Sequence, residues 1–216
     1  MDAVQYNDWL VAENKETLVQ VCIGDEETNE ILKDWLERTL QEIDWPFEKK
    51  GEKVLELMAG YGRNYEVLAK KFKHVEMLDG SAQLTQKNPH PVVKHVEYVQ
   101  KFEFPAETFD CVVGVFCLCY LNEREIEKLL PKMEESLTVL GYIVLVEPVL
   151  KVEEGDRDRQ LPEQRQHMAI RSAKYYSRLF RNNKVKVMWT RRDEKKGQLL
   201  EDLMTFVLRD GTQYYE

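Results

Sequence analysis

The chain has 216 residues, 43% of them hydrophobic and 32% charged, which suits one globular domain with a small appendage and excludes wholesale disorder. Lys and Arg number 31 against 39 Asp and Glu, and the resulting net charge of −8 argues against a nucleic-acid binder held by phosphate neutralisation. No apolar stretch reaches the roughly 20 residues of a membrane span, and the opening run MDAVQYNDWLVAENK has no signal-peptide core. The expected setting is therefore cytoplasmic and/or nuclear, with no membrane and no direct nucleic-acid partner.

In chain order, Glu26 to Gln41 reads as an amphipathic helix with Ile31, Leu32, Trp35, Leu36 and Leu40 on one face. Residues 1–48 are expected to form an N-terminal helical extension on a core domain of residues 49–216. After the turn-like Trp45-Pro46, Lys53 to Met58 is a short, mostly apolar strand that ends in the small-residue loop Ala59-Gly-Tyr-Gly62. A helix from about Arg63 to Phe72, a strand Val75–Asp79 and a helix from Ser81 to about Lys87 follow. Val92–Val99 is a third strand. Asp110–Cys119 is the most apolar run, as expected for a central strand buried on both faces.

That run holds Cys111, Cys117 and Cys119. On a strand, the last two would share a face but lie too far apart for an easy disulfide. With Cys22 they read as reduced, buried small hydrophobes, and without a Cys-x-x-Cys pair no metal site is expected. Glu123–Val139 reads as a helix that Pro131 would kink or break, with Gly141 placed as the glycine beyond its end. Then come the strand Tyr142–Val146, the charged segment Lys151–Gln166 (a solvated loop, or a lid or partner surface), a helix from Ser172 to about Asn182, and the strands Lys184–Thr190 and Leu203–Leu208 joined through Arg191–Gln198. Strand–helix alternation followed by two strands with no helix between them predicts an α/β, Rossmann-like, seven-stranded and mostly parallel sheet, with helices on both faces and a C-terminal antiparallel hairpin.

In such sheets ligands sit beyond the carboxyl ends of the strands, near the switch in strand order. Gly60 and Gly62 allow close backbone approach there. Glu56, near the end of the first strand, can accept hydrogen bonds from an ammonium or hydroxyl, and Asp79, closing the second, can take both hydroxyls of a ribose. The spacing from Gly60 to Asp79 suits a nucleotide-binding βαβ unit. A dinucleotide oxidoreductase needs a third glycine where this chain has Tyr65. S-adenosylmethionine, with its free ammonium, fits Glu56 better.

From about Val54 to Leu208 the chain resembles a class I S-adenosylmethionine-dependent methyltransferase, and among these the protein α-N-terminal methyltransferase family. That family's first motif, D-x-G-A-G-I-G-R, meets Glu56-Leu-Met-Ala-Gly-Tyr-Gly-Arg63, and its strand-two acid meets Asp79. Its L-Q-D-F meets Val99-Gln100-Lys101-Phe102, and its S-Y-D-V meets Thr108-Phe109-Asp110-Cys111. Its S-L-x-P-x-G-x-I-V turn meets Ser136 to Val144, and its R-S-x-x-Y-F-x-x-L-F helix meets Arg171 to Phe180.

The resemblance implies an enzyme that transfers a methyl group from S-adenosylmethionine, with a protein or peptide (N-terminal amine or side chain) as acceptor. It implies cofactor contacts at Glu56, Gly60, Gly62, Arg63, Asp79, Ser81, Val99 and Gln100, with the family's aromatic after strand four kept as Phe116. Arg63 would pair with the cofactor carboxylate, although alone it reads as a surface residue at a helix start. Gln100 would reach the adenine end, although alone it reads as a solvated loop amide.

The chain departs from the family at Met58, where the motif's first glycine stands, and on the acceptor side. There Tyr120 and Pro148 replace a His and an Asn, Glu163 and Gln166 stand near the downstream acids, and Thr17–Gly24 occupies the place of a glycine-rich lid. Tyr120 could orient an acceptor and Glu147 could accept its proton; a packing Tyr and a solvated strand-end Glu are the plainer readings. The alternative function is a catalytically inactive methyltransferase-fold subunit that scaffolds a larger complex through a partner protein.

Overall fold

The apolar runs of the sequence become strands whose side chains alternate between two helical layers. The computed structural model describes residues 26–150, 159–160, 168–183, 185–193 and 202–209. The elements are α1 (Glu26–Glu42), β1 (Gly51–Leu57), α2 (Tyr65–Lys71), β2 (Phe72–Asp79), α3 (Ala82–Lys87), β3 (Val93–Val96) and β4 (Phe109–Val115). A 3₁₀ turn (Leu118–Tyr120) then leads to α4 (Glu123–Glu135), β5 (Leu137–Val149), the short strands β6 (Arg159–Gln160) and β7 (Ala169–Ile170), α5 (Ala173–Asn182), β8 (Lys186–Asp193) and β9 (Asp202–Arg209).

Seven strands form one sheet in the order β3-β2-β1-β4-β5-β9-β8. β1 pairs in parallel with both β2 and β4, β4 in parallel with β5, and β9 runs antiparallel to β5 and β8. The Rossmann-like sheet with its antiparallel C-terminal hairpin is thus present. The order reverses between β1 and β4, so the loops after these two strands flank the switch point where α/β ligands bind.

One face carries Val54, Met77, Cys111, Val113, Val144 and Val207 against Leu32, Trp35, Leu36 and Leu40 of α1 and Val67 and Leu68 of α2. The other carries Leu55, Leu57, Val112, Ile143, Leu145 and Phe206 against Ile126, Leu129, Leu130 and Met133 of α4 and Tyr176, Leu179 and Phe180 of α5. Polar contacts anchor α1 to the hairpin. Trp35 Nε1 donates to Thr205 Oγ1 on β9, and Arg191 on β8 donates to Glu42 at 2.9 Å and to Thr39 Oγ1 at 3.0 Å.

Several expectations are corrected. The central strand stops at Val115, because Phe116 takes a left-handed conformation (φ 58°) that turns the chain; Cys117 and Cys119 therefore lie in a turn, not on a strand. They and Cys111 are buried free thiols. Pro131 does not break α4, which runs on to Glu135 behind an Asn122–Glu125 capping box. Gly141 lies inside β5, where a Cβ would sit 2.9 Å from Leu137 Cβ and 3.0 Å from the Phe109 carbonyl, so it serves strand packing and not a helix end. No helix joins β3 to β4; Phe102 and Phe104 of the connecting segment pack on the core in its place. Cys22, Thr17–Gly24, most of Lys151–Gln166 (with Glu163 and Gln166) and most of Arg191–Gln198 fall outside the described residues. No described helix is long and apolar enough to cross a membrane.

Trp35 is buried and bonded to a buried threonine. Trp35→Ala should cost about 3–5 kcal/mol, read as a fall in thermal midpoint. A midpoint unchanged within error would show that the Trp35 contacts contribute nothing to stability.

Candidate functional site at the carboxyl edge of the sheet

The loop after β1 departs from ideal backbone at three places. Met58, Gly60 and Gly62 all have positive φ, at 51°, 58° and 85°. Glycine reaches this region freely, whereas for methionine it is strained by roughly 1–3 kcal/mol. The Met58 side chain is half-buried against the α4/α5 core, which offsets the strain. A Cβ on Gly60 would meet nothing within 4 Å, so this glycine faces open space. A Cβ on Gly62 would sit 2.5 Å from Asn88 Nδ2, so Gly62 is required by close packing.

Asp79 ties this loop to the end of β2. Its Oδ2 accepts from the Gly60 amide at 2.8 Å and its Oδ1 from the Ser81 amide at 2.8 Å. A carboxylate is an acceptor-only group with about four lone-pair positions, the chemistry that a pair of ligand hydroxyls requires. Ser81 is buried and caps α3, its hydroxyl accepting from the Leu84 amide at 3.1 Å.

Glu56 is buried beneath the loop, 2% exposed. Its Oε1 accepts from Asn64 Nδ2 at 2.6 Å, while its Oε2 and Asn64 Oδ1 have no hydrogen-bond partner. Burial pushes the Glu56 carboxyl up to about 7, against the opposing pull of the Asn64 bond and the nearby Arg63 charge. Two orphaned buried acceptors, one of them a carboxylate, form a place for a cationic donor. Asn64 was not singled out from the sequence; the available signal was its place at the start of α2, directly after Arg63. Arg63 lies 5.9 Å from the centre of the Phe116 ring, which joins the loop after β1 to the loop after β4.

The remaining predicted residues are placed differently. Val99 is buried, beyond β3. Gln100 is exposed, and its amide donates to Glu125 Oε1 of α4 at 3.1 Å, so its side chain is turned toward that helix. Tyr120 ends the 3₁₀ turn and is half-buried. Glu147 is neither solvated nor placed as a base. It has no exposed surface, and its carboxylate accepts from the amides of Cys117 at 2.9 Å, Leu118 at 2.7 Å and Cys119 at 3.1 Å. Burial still pushes this carboxyl up to about 7. Among the described residues, no three His, Cys, Asp or Glu side chains are grouped to hold a metal ion.

A family model described as a methyltransferase domain matches residues 25–187. Phosphoethanolamine N-methyltransferase 3 of Arabidopsis thaliana is 30% identical over 140 residues, which is 61% of this chain and 28% of that protein. The chain therefore spans about a quarter of the length of the curated relatives it matches. Among solved structures, a SAM-dependent methyltransferase of Leishmania major superposes with a TM-score of 0.81 at 21% identity, covering 96% of this chain and 81% of that one. Phosphoethanolamine N-methyltransferase 1 of Haemonchus contortus, solved with phosphoethanolamine and S-adenosylhomocysteine, gives 0.67 at 17% identity, covering 96% and 48%. At these identities the superpositions establish the fold.

Two predictions follow from the strained loop and the buried acid. Met58→Gly should be tolerated, whereas Met58→Val should destabilise by about 1–3 kcal/mol, because a β-branched residue resists positive φ; equal stabilities in denaturant titrations would remove strain from the account. Glu56 has a folded pKa above its unfolded value, so between about pH 4.5 and 7 the native state holds the extra proton. Stability should therefore fall as pH rises through that window, by up to about 3 kcal/mol from this group. Glu56→Gln should lose that share of the slope, and an unaltered pH profile in the variant would place the proton elsewhere.

Proposed function

The chain belongs to the methyltransferase-domain family, whose methyl donor is S-adenosylmethionine, and we propose that the edge formed by Glu56, Gly60, Arg63 and Asp79 binds this donor for transfer to an amine. The observation that carries the reading is the buried, half-satisfied Glu56 carboxylate beside Asn64, under a loop whose Gly60 faces open space. When bound, S-adenosylmethionine supplies an electrophilic methyl on a sulfonium.

Glu56 Oε2 and Asn64 Oδ1 would accept from its ammonium, an ion pair that returns the desolvation cost of the acid. Arg63 would take its carboxylate, a task suited to a planar guanidinium. Asp79, at the end of β2, would take the ribose hydroxyls with its carboxylate. Gly60 and Gly62 would keep the backbone clear, and Ser81 and Val99 would border the site. Phe116 would close it toward the acceptor. Gln100 would serve the adenine end through its backbone or after release from Glu125. The side chains thus orient the reacting groups and exclude water, which can supply much of the rate of a displacement reaction.

For the acceptor, the names of the relatives support a small phosphorylated amine. The motif-by-motif resemblance supports a second reading, a protein or peptide amine, through the Arg171–Phe180 run, which forms α5 and the residues before it at the same edge. The inactive-subunit alternative rests on Met58 and on the altered acceptor residues; the packing of Met58 against the α4/α5 core supports the enzymatic reading over it.

Thermal unfolding with S-adenosylhomocysteine at 100 times its Kd should show about 2.7 kcal/mol of stabilisation, lost in Asp79→Ala. Radiolabelled methyl should then pass from S-adenosylmethionine to phosphoethanolamine. Label on a free-N-terminus peptide and not on phosphoethanolamine would favour the second reading; absence of any ligand-induced shift would overturn the donor site itself.

A further inference from the structure

The turn after β4 is held by two charged side chains that the cofactor site does not use. Glu147, from β5, receives the three amides that open the turn, those of Cys117, Leu118 and Cys119. Arg171, from the segment before α5, spans it from Leu118 to Leu121. Its Nη1 donates to the Leu118 carbonyl at 2.9 Å and its Nη2 to the Leu121 carbonyl at 2.5 Å. Arg171 is itself 4% exposed, and its guanidinium lies 5.1 Å from the Tyr175 ring centre.

The Glu147 carboxyl collects amides of the turn and the Arg171 guanidinium collects two of its carbonyls, those of Leu118 and Leu121, so acceptor meets donors and donor meets acceptors. The turn already has backbone bonds of its own, Tyr120 amide to Cys117 carbonyl at 3.2 Å and Leu121 amide to Leu118 carbonyl at 3.1 Å. Burying two charges is a costly way to add stability, since well-packed apolar groups generally do as well. What the two charges add is a fixed orientation, referenced to two neighbouring loops of the same edge. Arg171 is held in turn, its own carbonyl accepting from the Leu150 amide at 3.1 Å beyond β5.

We propose that Glu147 and Arg171 are positioning residues: together they clamp Cys117–Leu121 so that Phe116 before it and Tyr120 within it stand where the acceptor is received. What the edge receives rests on the reading in the preceding subsection; the clamp rests on the geometry alone. A corollary concerns an anionic acceptor. The three turn amides are spent on Glu147, so a phosphate must be met by other groups.

The side-chain chemistry makes the clamp testable. Gln at 147 offers one acceptor oxygen and turns an amide group toward a backbone donor, and Lys at 171 replaces the rigid two-nitrogen fork that spans both carbonyls with a single ammonium on a flexible stem. The experiment compares the unsubstituted 216-residue chain with Glu147→Gln and Arg171→Lys. Amide exchange at residues 117–119 should quicken by about tenfold or more, the equivalent of one lost hydrogen bond. In fluorotyrosine-labelled protein, the Tyr120 resonance, assigned with Tyr120→Phe, should shift or broaden in both variants. S-adenosylhomocysteine affinity should stay within about twofold, while kcat on phosphoethanolamine falls by about tenfold or more.

Unchanged exchange and an unchanged Tyr120 resonance in both variants would overturn the clamp. Ligand affinity falling in parallel with turnover would overturn the positioning role in favour of general destabilisation. A wild-type chain that does not methylate phosphoethanolamine would count against the acceptor reading, while exchange and fluorine spectra would still decide the clamp. If one variant fails to fold, the other carries the test.

Discussion

Two carboxylates held out of water at one edge of an apolar sheet shape the functional end of this molecule. A buried carboxylate must find donors or give up its charge. Glu147 finds three backbone amides, and to supply them the chain after β4 must leave the strand and curl over the carboxylate. Glu56 finds a single side-chain amide and keeps one oxygen unsatisfied. The same constraint thus yields a finished structural contact at one position and a receptive one at the other. Both acids sit at the end of an interior strand, and their neighbours along those strands pack into the core.

The two loops that flank the switch in strand order share another property. Each leaves its strand through a non-glycine residue in the left-handed region, Met58 after β1 and Phe116 after β4. Such backbone persists only where surrounding contacts over-determine it. Met58 packs on the α4/α5 side of the sheet and Phe116 on the α1/α2 side, where Arg63 lies near its ring. Strain is therefore held at two adjacent points by opposite cores. That arrangement fixes the loops without ligand and suits a reaction in which positioning supplies much of the rate.

The proposed donor and acceptor sides are built on different principles. The donor side is a cradle of small residues and side-chain acceptors, with Asp79 tying the first loop to β2 through the Gly60 amide. The acceptor side is braced by interior polar groups, with Glu147 taking amides and Arg171 carbonyls of one turn. A cradle conserves space for a ligand of constant shape. A braced turn presents side chains, here Phe116 and Tyr120, whose identity can differ while the scaffold stays the same.

The sequence by itself determined the fold class and the donor edge. Alternating apolar runs and amphipathic segments specify strands and helices locally, and Gly60, Gly62 and Asp79 carry their spacing in the chain, since one βα turn and one strand end suffice to place them. Helix ends set by capping side chains, such as Ser81, Asn122 and Ser172, were legible to within a residue or two for the same reason. Only the tertiary structure decided the rest. The reach of the central strand depended on the conformation of Phe116, which no hydrophobic pattern records, and the same apolar run therefore looked like strand through Cys119. The role of Glu147 depended on which amides the next loop would bring within 3 Å, and that of Arg171 on carbonyls some fifty residues earlier in the chain. Asn64 became part of the site because α2 begins directly over the end of β1. Local pattern fixes what a residue can do; whether a buried charge is satisfied depends on partners brought from distant segments, and that is settled only when the sheet assembles.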